Sequence, residues 1–385
     1  MAVLAGTLFI AMQSRAIQTF AAKKIVNFLS ENIQSEFSVA DIHITFFNKI
    51  VINHIYIEDL AGDTLLNADK LSVSIARPRF TQKILKIQKV ELDHSFINFH
   101  VDSTGTINLR FLIDKFLKKD KASESKWDIE VKSIRISDSR FYLTRSGAEM
   151  KEYGISFGNL KLYNLNTDLK KFKPDGDTIH FIIDHLSFTE SSGFDLADFS
   201  SRTSICKNQL KFEDVRIQTP YSSISGDRIN LLFDKFSDFR IETLYTAVIL
   251  DIQIDASSIS LYDLSFYVPN FRDSYQSVNL SGEFSGTVNN FAGKRINISF
   301  GKHSFLSGEF DLDGLPAIDE TFIFARFSKV QTKISELEEL TLPGGKKLNL
   351  PDLLDMMGTI TYTGQFTGFV NDFVAYGTVI SDLGL

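Results

Sequence analysis

Large apolar and polar side chains alternate along much of this chain with a period of two, and that pattern leaves few fold classes open. Val278, Leu280, Phe284 and Val288 share one parity with Gly282 and Gly286, while Asn279, Ser281, Glu283, Ser285 and Thr287 take the other. Ile360, Tyr362 and Phe366 repeat the scheme against Thr361, Thr363 and Gln365. Successive side chains of a strand point to opposite faces, so each segment is a strand with one apolar and one wet face. Strands of this kind build half-buried antiparallel sheets. Few segments carry a helical stripe that could cover the apolar face. What covers it is the question that decides function.

Composition sharpens that question. The 385 residues are 43% hydrophobic and 23% charged, close to ordinary globular proteins, but they include 35 Phe against 11 Tyr and one Trp. Phe has no polar handle, so the excess belongs to buried or lipid-like surroundings rather than to wet interfaces. Pro is scarce, at 7, which suits long unbroken strands. The net charge of −7 and the lack of a long Lys/Arg run argue against nucleic-acid binding, which needs a basic surface. Cys206 is the single cysteine, so no disulfide forms within the chain and a thiolate metal cluster is excluded.

Ala2 to Met12 is an uncharged, mostly apolar run, far short of the ~20 residues that span a bilayer as a helix. It lacks the basic start and the small-residue cleavage site of a signal peptide. It reads either as a first core helix or as the tail end of a transmembrane helix, and the amphipathic segment after it favours the second reading. In that segment Ile17, Phe20, Ala21, Ile25, Phe28 and Leu29 form an apolar helical stripe. The helix either lies at a membrane interface, with Lys23 and Lys24 near lipid head groups, or packs on the end of a sheet.

Strands dominate from Phe37 onward. A short helical stripe over Asn108 to Lys118 and a charged linker over Lys119 to Lys126 mark a boundary. The expected organisation is residues 1–32 as the end of a membrane anchor plus the amphipathic helix, 33–118 as a first module, and 127–385 as a run of strand repeats. Alternation flips parity at Asp138-Ser139, between Ile134/Ile136 and Phe141/Leu143, which predicts a bulge or a tight turn. Ser258 to Tyr267 reads as a strand, and Lys329 to Leu340 and Asp352 to Met357 as short inserted helices. Ser281-Gly282-Glu283-Phe284, Ser307-Gly308-Glu309-Phe310 and Thr363-Gly364-Gln365-Phe366 share one form, so a supersecondary unit is reused. Glycine within each strand permits strong local curvature. The predicted fold is mainly β: an elongated, curled antiparallel sheet forming a groove, with an N-terminal amphipathic helix and a few short inserted helices.

No catalytic constellation is present. The histidines are scattered; His180 and His185, five apart on one strand, face opposite sides and cannot share a metal. Asp59-Leu-Ala-Gly-Asp63 and Asp311-Leu-Asp-Gly314 resemble fragments of calcium loops but lack the later ligands and the closing Glu, and turn chemistry accounts for both. No catalytic residue, metal ligand or cofactor is assigned, and the chain reads as a non-enzyme.

Taken together, these residues resemble the N-terminal part of TamB proteins of the AsmA-like superfamily, of the kind found in Bacteroidota. The resemblance is carried by the amphipathic helix after an apolar segment and, most specifically, by the stretch from Val39 to Leu65. Leu186 to Phe194, Asp311 to Pro316 and Thr363 to Phe373 support it. It implies an elongated β-groove anchored in the inner membrane by a single span, crossing the periplasm, and passing phospholipids between inner and outer membranes. It also implies the alternative role of the family, a translocation and assembly module that aids outer-membrane protein assembly and secretion with a barrel partner. Family members are longer, so the resemblance implies that most of the span at one end and the rest of the groove at the other lie outside this chain. On this reading Val278, Leu280, Phe284, Val288, Ile360, Tyr362 and Phe366 line the lipid path, and Ile17, Phe20, Lys23, Lys24, Ile25 and Phe28 form the membrane-interface helix. Two rivals stay open: a factor that offers a sheet edge to a client strand, and a carbohydrate-active β-protein, which the single Trp disfavours.

Overall fold

The structure is a computed structural model, and it describes residues 35–45, 49–76, 84–116, 128–148, 151–239, 241–339, 347, 350 and 356–384. The apolar run after Met1 and the segment expected to form a helix with Ile17, Phe20, Lys23, Lys24, Ile25 and Phe28 lie outside the described residues. The protein is mainly β, with short helices between strands. It divides into two compact units. The first comprises Met1–Met150, Gly158–Lys173 and Phe181–Ser191, and the second Lys151–Phe157, Pro174–His180 and Ser192–Leu385.

In the first unit β1 (Phe37–Thr45), β2 (Lys49–Glu58), β3 (Thr64–Ile75) and β4 (Ile84–Val101) form an antiparallel meander. Strands β5 (Asp128–Val131) and β6 (Ser133–Arg145) then run parallel to β4, and β7 (Asn159–Asp175) returns antiparallel to β6. The sheet is therefore mixed, where alternation alone predicts antiparallel pairing. Parallel neighbours need a crossover, and helix α1 (Arg110–Phe116) lies in it. Leu109, Phe111 and Leu112 pack against a core of Ile42, Ile52, Ile55, Ile57, Leu65 and Ala68.

Ile52 lies three residues before Ile55, yet both enter that core. His54 between them is left-handed, at φ 51°, and this reverses the face on which β2 presents its apolar side chains. His94 in β4 and Asp138 in β6 take the same conformation at φ 49° and 46°, so the reversals fall on one line across the sheet. His and Asp are among the non-glycine residues that tolerate this region best. The irregularity expected at Asp138 is present: the pairing of β6 with β7 shifts register between Ile136 and Ser139.

Strand β8 spans Thr178–Glu190 and β9 Asp195–Leu196. The second unit continues with β10 (Asp198–Cys206), β11 (Gln209–Gln218), β12 (Ser223–Leu232), β13 (Ile249–Ser260), β14 (Ser277–Gly286), β15 (Asn290–Phe300), β16 (Ser304–Asp313), β17 (Phe322–Lys333), β18 (Thr359–Phe369) and β19 (Asp372–Ile380). Each pairs antiparallel with the next from β10 to β19. Short helices fill three connections: α2 (Ile241–Ala247), α3 (Leu261–Ser265) and α4 (Ile334–Glu339). Helix α3 falls inside the stretch from Ser258 to Tyr267 that alternation predicts as strand. Ser260 ends the strand there, because its side chain accepts a hydrogen bond from the Tyr262 amide and caps the helix. The helix expected over Lys329 to Leu340 begins only at Ile334; the residues before it complete β17.

Candidate functional site: the apolar face of the second unit

Register shows what the repeated Gly-x-Phe motif builds. Phe284 of β14 pairs with Ile252 on one side and Gly293 on the other; Gly293 pairs with Phe310, Phe310 with Ala325, Ala325 with Phe366 and Phe366 with Ala375. The three motif phenylalanines thus stand in one row across the strands. Between them, in β15 and β17, the row holds only glycine or alanine. A second row, one pleat away, runs Leu250, Gly286, Phe291, Leu312, Ile323, Gly368 and Phe373. A third joins Leu280, Ile298, Leu306, Val330, Tyr362 and Val379. All three are apolar without interruption from β14 to β19.

The alternation of large and small has a packing cause. A Cβ on Gly293 would lie 2.6 Å from the Phe310 ring, so that ring lies across the glycine instead of standing off the sheet. Phe284 stacks on Phe291 at 5.8 Å and also meets Phe310, and Phe366 stacks on Phe373 at 4.6 Å. Phe284, Ile296 and Ala325 are buried, whereas Leu280, Phe291, Ile298, Phe310, Leu312 and Phe366 are only half-buried. Such burial belongs to a surface shaded by its own neighbours, not to a core sealed beneath a second layer.

Six of the residues expected to line this face stand on it. Leu280 and Tyr362 share the third row, Phe284 and Phe366 share the first, and Val278 and Ile360 lie one pleat further on, half-buried, opposite Ile259 and Thr332. Val288 lies past the end of β14, in its connection to β15. Alternation missed the contributions of β15 and β17. Arg295, left-handed at φ 51°, and a register shift between Gly293 and Ile296 reverse parity inside β15, so Phe291 and Ile298 reach one face from odd and even positions. A left-handed turn at a single non-glycine residue leaves no clear mark in the sequence.

The opposite face is polar. Glu283 stands across from Gln253 and Lys294 and pairs with Arg295. Arg228 donates to both carboxylate oxygens of Asp251, at 3.0–3.1 Å. With a further bond from Asn230, this holds the Asp251 carboxyl below the usual range against the effect of burial. Arg326 bonds Glu309 at 2.6 Å, and Gln365 pairs with Arg326 in register.

Elsewhere polar groups are absorbed in local structure. His180 Nδ1 lies 2.8 Å from Ser204 Oγ, and His185 Nε2 3.1 Å from Ser187 Oγ. Asp59 accepts from the amides of Ala61 and Asp63 and from Asn108, which is turn chemistry. Among the described residues no three His, Cys, Asp or Glu side chains are placed to hold a metal ion, and no helix is long and apolar enough to cross a membrane. Comparison with protein-family models, curated proteins and solved structures gives no match.

Proposed function

We propose that the apolar face of the second unit is a path for the hydrocarbon tails of phospholipids, and that the protein is an inner-membrane-anchored bridge carrying them across the periplasm to the outer membrane, as the resemblance to TamB proteins implies. One observation carries the reading: three apolar rows run without a polar break from β14 to β19 on a face that is only half-buried. Each methylene taken out of water contributes about 0.8 kcal/mol. Rows that cross the strands at ~4.8 Å per strand cover about 24 Å along the sheet from β14 to β19, most of the ~30 Å of a bilayer's hydrocarbon core, or two tails end to end. Nothing in this function requires a reacting group.

Photo-crosslinking in cells tests it. Phe284 is too buried to be the best site, so the reactive residue goes at Phe366 and Tyr362 on the apolar face and at Thr363 and Gln365 on the other. Lipid adducts at Phe366 and Tyr362 alone support the path; equal labelling of both faces, or none at all, overturns it. The complete gene product is also expected to fractionate with inner membranes and to resist carbonate extraction, and clean release would remove the anchor.

A further inference from the structure

Tyrosine, which the three apolar rows use only at Tyr362, gathers elsewhere in the second unit. Five of the eleven tyrosines, Tyr153, Tyr221, Tyr262, Tyr267 and Tyr275, join one set of ring contacts through the buried Phe194 and Phe266. Tyr221 stands between β11 and β12, Tyr262 in α3, and Tyr275 between α3 and β14. Tyr275 stacks on Tyr262 with centroids 5.2 Å apart and ring planes 14° from parallel, and Tyr221 meets Tyr262 edge-on. One face of Tyr275 is thereby covered. With 71% of that residue exposed, its other face is open to solvent, and Tyr221 is 55% exposed.

These rings project from a fixed backbone. The buried Asp263 carboxylate accepts from Thr219 Oγ1 and Ser222 Oγ, both at 2.5 Å. Ser222 Oγ in turn accepts from the Ser260 amide at 2.9 Å, and Ser260 Oγ caps α3 at the Tyr262 amide. A buried carboxylate destabilises a fold unless it is hydrogen-bonded. Here its bonds tie the connection that carries Tyr221 to the one that carries Tyr262 and Tyr275. Exposed aromatic rings held this firmly lose little freedom when a ligand settles on them.

Three features specify the ligand. The Tyr262–Tyr275 stack leaves no slot between its rings, so a ligand lies flat on the outer one. Each ring has an apolar body and a hydroxyl tip that both donates and accepts. A hydrocarbon tail would be matched by phenylalanine alone. The exposed charges of residues 219–222 and 261–276 are Arg272 and Asp273, which cancel, so nothing there selects an anion or a cation. A pyranose ring has the same division, a face of C–H groups within a rim of hydroxyls. Tyrosine presents this face as tryptophan would, so the single Trp does not stand against it.

We propose that Tyr221, Tyr262 and Tyr275 form a binding platform for an uncharged glycan, whose pyranose rings stack on the tyrosine faces. The proposal does not rest on the lipid reading.

The full chain is tested on an array of neutral oligosaccharides of glucose, N-acetylglucosamine, mannose and galactose, and those retained are titrated in solution. Expected is saturable binding that Tyr275→Ala and Tyr221→Ala each weaken at least tenfold. Tyr275→Phe, which keeps the ring face, should weaken it less than Tyr275→Ala, and Tyr376→Ala, equally exposed on β19, should not change it. Because Tyr275 and Tyr221 are exposed, both alanine variants are expected to leave amide exchange in β12–β14 unchanged, which verifies that they fold. Retention of no neutral oligosaccharide overturns the proposal, as does binding indifferent to the two alanine variants. Sedimentation with phosphatidylcholine vesicles, or self-association, that Tyr275→Ala abolishes and the oligosaccharides do not displace also overturns it, by making a membrane or a second copy the occupant.

Discussion

Glu336 offers the sharpest test of how the second unit is held together. It lies in α4 and reaches the turn between β15 and β16. Its carboxylate accepts from the amides of Lys302 and His303 at 2.9 and 3.0 Å and from Ser304 Oγ at 2.6 Å, with His303 Nδ1 at 2.7 Å. Burial alone would push this carboxyl up. The hydrogen bonds outweigh it and hold the group at about 2 instead of 4.5. At 1.36 kcal/mol per pH unit that difference sets a ceiling of about 3.4 kcal/mol, and water around the turn screens part of it. The expected contribution is about 1–3 kcal/mol, in the range of hydrogen bonds to a charged group.

The folded-state value is depressed, so this stabilisation is complete above about pH 5 and is lost as pH falls from there toward 2. Glu336→Gln removes the charge and should cost about 1–3 kcal/mol at neutral pH. The gap between wild type and variant should close steadily between pH 5 and 2. Amide exchange at Lys302 and His303 reads this locally, without assuming that the whole protein unfolds in one step. A difference in protection that is constant over that pH interval would refute the reasoning, since it would mean that the carboxylate's charge plays no part.

The packing leads to two more expected outcomes. Gly293→Ala should cost about 1–3 kcal/mol through overpacking against Phe310, and less in a Phe310→Leu background; additive effects in urea melts would show that the ring does not rest on the glycine. Asp263 is 8% exposed and accepts from Thr219 Oγ1 and Ser222 Oγ, both at 2.5 Å. Asp263→Asn should cost about 1–3 kcal/mol and disturb the near-ultraviolet signal of Tyr221 and Tyr262, whose rings lie 5.3 Å apart; an unchanged Tm and spectrum would refute it.

The β class and the reuse of one unit were legible because β14 and β18 keep strict alternation, and the motif glycines and phenylalanines fall at matching places. The equivalence of Leu280 with Tyr362 and of Val278 with Ile360 comes from the same spacing. What alternation could not give was set by single residues. His54, His94 and Arg295 reverse parity through one left-handed dihedral each, a choice made by tertiary pairing that none of these residues demands alone. Parallel pairing of β4 with β6 was hidden because it depends on a long crossover rather than on a local pattern. Helix α3 was masked by the apolar residues that also suit a strand, and only the Ser260 cap separates the two.

The excess of phenylalanine over tryptophan and tyrosine acquires a physical meaning in these rows. A ring lying across a glycine or alanine loses much of its water contact to its own sheet, so the face is stabilised without a second layer. What stays bare on each half-buried ring, on the order of 50 Å², is worth about 1 kcal/mol when a hydrocarbon covers it. In the lipid-path reading a tail lying across several strands collects a few such contacts, enough to hold it out of water. Advancing by one hairpin, two strands, exchanges one contact for its equivalent, because the first row repeats large and small every two strands. The barrier to movement is then set by a single contact and not by the sum. A charged residue in a row would break that equivalence; from β14 to β19 the three rows contain none, and their one polar side-chain group, the Tyr362 hydroxyl, donates to the Gln365 and Tyr376 carbonyls.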